Sequence, residues 1–314
     1  MRGWWRDLTD LVLPAECGGC GRPRAVLCAE CRAALSGAAP SRVRPVPEPA
    51  GLPAVHAAAP YTDEVRAVLL AHKERGALAL AAPLGAALAG AVRAALEAAR
   101  RPGPAGRPVA SQGRLRHGRG EAGCERESPE RDGAGVRGAG PGDGAVLLVP
   151  VPSARRAVRA RGHDPARRIA LAAAGELRRT GTPARVLGVL RHGRAVADQS
   201  GLNSRQRSDN LAGALEVTGG GVRLLAGGGR VVLVDDLMTT GASLTEAARA
   251  VREAQAAAEG VCAARERPAR PARPELPEVD GRIVGRGQAR GTRGGTVCSA
   301  VVAAPPDAFE INRN

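Results

Sequence analysis

The run VVLVDDLMTTGAS at 231–243 constrains the fold more than any other part of the chain. Four aliphatic residues, mostly β-branched, follow a glycine run and read as a strand buried on both faces, the kind found at the centre of a parallel sheet. Asp235 and Asp236 then stand at the carboxyl end of that strand, where open α/β sheets bind their ligands. Thr239, Thr240, Gly241 and Ser243 lead into a helix over 244–253. They offer hydroxyls and unpaired backbone N–H groups at a helix N-terminus, which suits a phosphate. Two acids directly before a phosphate cradle make sense if the ligand carries hydroxyls beside its phosphate, and a ribose 5-phosphate does. The plain alternative is a strand–turn–helix with a solvated acidic turn. A Walker loop is excluded, since GK[ST] occurs nowhere.

The balance of charge points the same way. The net charge is +15, and nearly all of the 46 basic residues are arginine, Lys73 being the only lysine. Between residues 151 and 210 thirteen arginines face four acids (Asp164, Glu176, Asp198 and Asp209), so the positive field is concentrated there. A diphosphate-bearing substrate explains this, and so does a nucleic-acid backbone. Aromatic residues make up 1% of the chain against 44% hydrophobic overall, so the core must be Ala, Leu and Val. No apolar run reaches the length of a membrane span. Charges at Arg6, Asp7 and Asp10 interrupt the N-terminus, unlike a secretory signal, while Trp4, Leu8 and Leu11 fall at helical spacing. A cytoplasmic protein with reduced cysteines is expected.

Cys17-x2-Cys20 and Cys28-x2-Cys31 form two knuckles on either side of GRPRAVL. Four thiolates make a closed tetrahedral zinc site with no room for water, hence a structural one. Disulfides are the alternative. Cys124, Cys262 and Cys298 have no partners at metal spacing.

Between these landmarks, residues 33–54 read as a linker or loose strand. Val65, Val68, Leu69 and His72 mark one face of a helix, with Lys73 just past that face as either a solvated helix end or a phosphate contact. A second helix covers 79–100 with a pause at Pro83. Residues 101–144 and about 255–295 show no hydrophobic period and are expected to be disordered inserts. AVLLVPV at 145–151 is a buried strand ending in a Pro-rich turn and Arg155, Arg156, Arg159 and Arg161. Arginine forks there suit a diphosphate, Arg155 and Arg156 above all, with Arg159, Arg167 and Arg168 read as solvated. His163 fits a capping or packing role better than a general base, and Pro165 opens the next helix. Residues 186–190 read as a strand. The polar stretch that follows, with Gln199, Ser200, Gly201, Asn203, Arg205, Arg207 and Asn210, suits a lid over the site. Two runs, 260–264 and 296–304, compete for the last strand, and the later and longer one is favoured.

In this order, the cysteine quartet, PYTDEVRAVLLAHKERG, VPVPSARRAVRARGHD, QSGLNSRQRSDNLAGAL and VVLVDDLMTTGAS resemble the ComF family of competence-associated, phosphoribosyltransferase-like proteins. The last of these is similar to the phosphoribosyl-diphosphate (PRPP) signature of type I phosphoribosyltransferases. The resemblance implies an α/β fold of that type, a central parallel sheet flanked by helices at 55–314, behind a small four-cysteine zinc ribbon at 1–40. It implies PRPP as substrate and magnesium bridging the sugar and the diphosphate. Asp235 and Asp236 would act at the ribose hydroxyls, and 239–243 at the 5-phosphate. Diphosphate would leave the anomeric carbon as a nitrogen nucleophile attacks an oxocarbenium-like centre, a task of positioning and charge neutralisation. Its partners would be single-stranded DNA and a competence helicase or other DNA-uptake protein. The alternative role is a non-catalytic DNA-binding or adaptor protein that senses PRPP, against which the scarcity of aromatics counts.

Overall fold

Residues 16–101, 144–194, 204–226, 229–265 and 297–310 are described by the structure, a computed structural model. Six strands form one sheet in the order β1-β2-β8-β7-β3-β4: β1 (Ser41–Val43), β2 (Val55–Pro60), β3 (Val146–Pro150), β4 (Ala184–Val186), β7 (Arg230–Leu237) and β8 (Cys298–Ala304). All neighbours are parallel except β1 and β2. A separate antiparallel ribbon joins β5 (Leu190–His192) to β6 (Leu215–Val217).

Side chains alternate between two apolar layers, as the pleat requires. Val146, Leu148, Val232, Val234 and Ala300 enter one layer, beneath α1 (Ala29–Ser36), α2 (Asp63–Glu74), α3 (Ala81–Arg100) and α5 (Pro165–Arg179). Leu147, Val149, Val231, Leu233 and Val301 enter the other, beneath α8 (Ala242–Arg265). Helices on both faces explain why the central strands are apolar throughout. The smallness of the core residues is used: a Cβ built on Gly85 of α3 would lie 2.4 Å from that of Ala172 in α5, so only glycine permits this approach. Asp164 caps α5 by accepting from the Arg167 N–H at 3.2 Å, with Pro165 in the first turn. Short helices α4 (Arg155–Arg161), α6 (Ser204–Leu211), α7 (Gly219–Leu225) and α9 (Asp307–Glu310), with a 3-10 turn at Leu78–Leu80, complete the described elements.

Several expectations are corrected. The helix after 231–243 runs to Arg265, so 255–265 are helical and the candidate strand at 260–264 is the end of α8. The last strand is therefore β8, inside the later run. Residues 187–189 break the expected strand at 186–190 into β4 and β5, because the chain leaves the main sheet for the ribbon. Residues 33–54 include the end of α1 and all of β1, and β2 was not anticipated from its AAA core. Pro83 sits in the first turn of α3, where its missing N–H is harmless, and makes no pause. Residues 204–211 form a helix instead of a polar loop. One helix, Leu78–Arg100, is after all long and apolar enough to cross a membrane, but it lies buried as a core helix against β2, β8 and α5. The helix expected around Trp4, the lid residues Gln199, Ser200, Gly201 and Asn203, and nearly all of both inserts lie outside the described residues.

Candidate functional site

The last residues of β7 carry the acid pair to the sheet's carboxyl edge. There Asp235, Asp236, Thr239 and Ser243 line a cavity of about 440 Å3. Its other walls come from distant segments: Lys73 from α2, Pro152 and Ser153 after β3, Arg156 and Arg161 from α4, His192 from β5, and Leu211 and Leu215 from the ribbon side. Thr240 and Gly241 line a small adjoining hollow of about 30 Å3 together with Asp235, Thr239 and Ser243. Gly241 has φ +78, a backbone conformation that side chains resist, which bends the loop into the start of α8. The first N–H groups of such a helix have no intrahelical acceptor.

Charge in the cavity is arranged in opposition. Lys73 Nζ lies 2.9 Å from Asp236 Oδ2, and that carboxylate is 8% exposed. Burial works against the Lys73 ammonium, but Asp236 and Asp235 together outweigh it and raise its pKa. Asp235 accepts from the Asp236 N–H at 2.8 Å. Its carboxyl titrates well above the ordinary range, chiefly from burial and then from the Asp236 charge, against which Lys73 pulls. Ionisation of Asp235 is thus costly until a ligand supplies compensating donors.

The two arginines expected as one clamp separate. Arg156 lines the acidic cavity, whereas Arg155 joins Arg159 and Arg191 around a neighbouring depression of about 310 Å3. Their adjacency on a helix explains this, since neighbouring positions do not share a face. His163 is a packing residue: its Nε2 lies 3.1 Å from the His72 carbonyl and its Nδ1 3.2 Å from that of Arg161. Sequence reasoning missed His192, whose Nε2 lies 3.1 Å from the Pro152 carbonyl and so steadies the turn after β3. It also missed Leu211 and Leu215. With five histidines in the chain, His192 could have been singled out by its rarity; the leucines gave no signal.

The cysteines gather elsewhere. The Sγ atoms of Cys17, Cys20, Cys28 and Cys31 all lie within 4.8 Å of one another. Cys20 and Cys28 sulfurs stand 3.6 Å apart, not at the bonded distance of about 2.05 Å. Zinc–sulfur bonds of about 2.3 Å make a tetrahedron with edges of about 3.8 Å, so the four donors suit a metal such as zinc. Burial alone would raise the Cys17 thiol, but backbone N–H groups of Cys28, Cys20 and Gly19 lower it to about 6. Burial and the neighbouring sulfurs push Cys31 up. Crowded thiols of this kind ionise together only around a cation. Cys17, Cys28 and Cys31 belong to the same apolar cluster as α2 and α3, so the quartet is joined to the main core. The chain matches no profile of a known protein family and no curated protein.

Proposed function

We propose that the cavity at the end of β7 binds PRPP and that the chain is a phosphoribosyltransferase-type protein of the ComF family. One observation carries the reading: an acid pair and a helix-opening Thr-Thr-Gly loop share the site with Lys73, Arg156 and Arg161. A sugar with adjacent hydroxyls, a 5-phosphate and a diphosphate has a complement for each part. The loop at 239–243 takes the 5-phosphate, the acidic end of β7 accepts from ribose hydroxyls, and the cationic wall takes the diphosphate.

If transfer occurs, bond breaking at the anomeric carbon places growing negative charge on the departing diphosphate. Lys73 and Arg156 stabilise that charge, and the walls position the nitrogen acceptor and exclude water. Magnesium, when bound with PRPP, would supply further neutralisation of the diphosphate, with the acidic edge of the cavity as its protein neighbour. Zinc in the cysteine quartet would be structural, because four thiolates leave no open position. The cellular role we assign is cytoplasmic, in competence and DNA uptake, beside single-stranded DNA and a helicase or other uptake protein.

Isothermal titration with PRPP and magnesium tests the binding, and a diphosphate-release screen over nucleobases tests the turnover. Saturable binding that is lost in Asp235→Asn/Asp236→Asn supports the reading. No binding by the wild type, or undiminished binding by the double variant, refutes it. Retained binding of single-stranded DNA by the double variant, without PRPP binding by the wild type, would favour the DNA-binding role instead.

A further inference from the structure

Consecutive side chains of a strand leave on opposite faces, and β7 keeps this alternation from Val231 to Val234. Val232 and Val234 belong to the layer under α2, α3 and α5, whereas Val231 and Leu233 belong to the layer under α8. Continued by two residues, the pattern sends Asp236 toward α2 and Asp235 toward the start of α8. Contacts agree with it. Asp236 Oδ2 meets Lys73 of α2 at 2.9 Å. Asp235, and not Asp236, lines the small hollow made with 239–243.

Resting on the PRPP reading, we infer that the two acids do different work: Asp235 accepts from the sugar hydroxyls beside the phosphate loop, while Asp236 is a positioning residue that tethers Lys73 for the diphosphate. A lysine ammonium has three N–H donors. One is used by Asp236, which leaves two for a ligand. Lys73, Arg156 and Arg161 line the same cavity, so those donors join a wall of matching sign. An untethered lysine would lose its rotamer freedom on binding, whereas a tethered one has lost it already.

The backbone around Lys73 is braced on both sides. His163 lies against the carbonyls of His72 and Arg161, and Arg161 Nε donates to Glu74 Oε2 at 3.0 Å. The residues before and after Lys73 are thus both tied to the segment that carries the arginines. Such bracing holds the cation in place, as a positioned binding group requires.

The test is titration of PRPP and of ribose 5-phosphate, each with magnesium, into wild type, Asp235→Asn, Asp236→Asn and Lys73→Met. Ribose 5-phosphate keeps the hydroxyls and the 5-phosphate but lacks the diphosphate. Asp235→Asn is expected to weaken both ligands by about tenfold or more, the loss of one charge-assisted bond. Asp236→Asn and Lys73→Met are expected to weaken PRPP to a similar extent while changing ribose 5-phosphate less than about threefold. Asp236→Asn combined with Lys73→Met should be no weaker than Lys73→Met alone, since both act through one bond. Lys73→Met reaches that bond from its more exposed end, so it tests the idea even if Asp236→Asn folds poorly. Equal loss of ribose 5-phosphate in both Asn variants overturns the division of labour, as does wild-type PRPP affinity in Asp236→Asn or Lys73→Met. A wild type that binds neither ligand overturns the PRPP reading itself, and the division with it.

Discussion

The cysteine quartet and the acidic cavity both crowd like groups together, but they stand in opposite relation to stability. At the quartet, Cys17, Cys20, Cys28 and Cys31 are placed so that one cation would resolve the crowding, and three of them pack into the layer that carries Leu80 and Val68. At the cavity, half-buried Asp235 stands beside buried Asp236, Lys73 offsets the pair in part, and the raised pKa of Asp235 records a cost to the unliganded fold. The first arrangement stabilises a structure. The second makes ionisation of Asp235 costly where the proposed ligand would bring donors, as a binding site and not a scaffold would.

The largest expected effect tests the scaffold side. Structural zinc contributes about 10–16 kcal/mol to folding in zinc-finger peptides. Chelation, or Cys31→Ser, should therefore lower the Tm by about 10 °C or more in calorimetry, with one zinc per chain found by metal analysis of untreated protein. An unchanged Tm after chelation would mean that the quartet stabilises nothing through a metal.

A smaller effect is expected where the ribbon meets α8. Glu246, 5% exposed, accepts from the Leu215 N–H at 3.0 Å and from Arg249 Nε and Nη2 at 2.9 and 2.7 Å. Burial acts to raise its pKa, but these donors outweigh burial and lower it. Its folded pKa lies below the unfolded one, so its stabilisation is present above the unfolded pKa and is lost as pH falls through the folded value. Glu246→Ala should cost about 2 kcal/mol in denaturant unfolding at neutral pH, shrinking in acid. A cost independent of pH would assign Glu246 a packing role alone.

Gly241→Ala should cost about 1–2 kcal/mol, because φ +78 is unfavourable for a residue with a Cβ. The built Cβ would also stand 3.1 Å from the Leu52 methyls. Urea midpoints check this, and an unchanged midpoint would mean that the loop has no fixed bend to offer a phosphate.

The smallest effect has the opposite sign. Asp235 has a raised folded pKa, so its contribution favours the fold at low pH and is lost as pH rises through that value. Asp235→Asn should thus stabilise the unliganded protein at pH 7 by on the order of 1 kcal/mol, with the two proteins converging as pH falls to the ordinary carboxylate range. A destabilised Asn variant at pH 7 would place Asp235 with Glu246, as a structural acid.

The same contrast explains what could be read from the sequence. The four cysteines lie between residues 17 and 31, so their spacing alone carries the cluster, and 231–243 likewise contains its strand, acids and loop in one run. The cavity's opposite wall is assembled by topology. Nothing local brings Lys73 to Asp236 or His192 to Pro152; the order β8-β7-β3 does so. β2 was missed because VHAAAP lacks the branched residues that usually mark a strand, and it is strand through burial between β1 and β8. The extension of α8 was missed because alanine-rich turns show little periodicity.

A structure of the protein with PRPP and magnesium would locate the ligand directly. The 5-phosphate is expected against 239–243, the ribose hydroxyls at Asp235, and the diphosphate between Lys73 and Arg156. Ligand bound away from the end of β7, or reversed with its diphosphate in the loop and its 5-phosphate on the arginines, would contradict it.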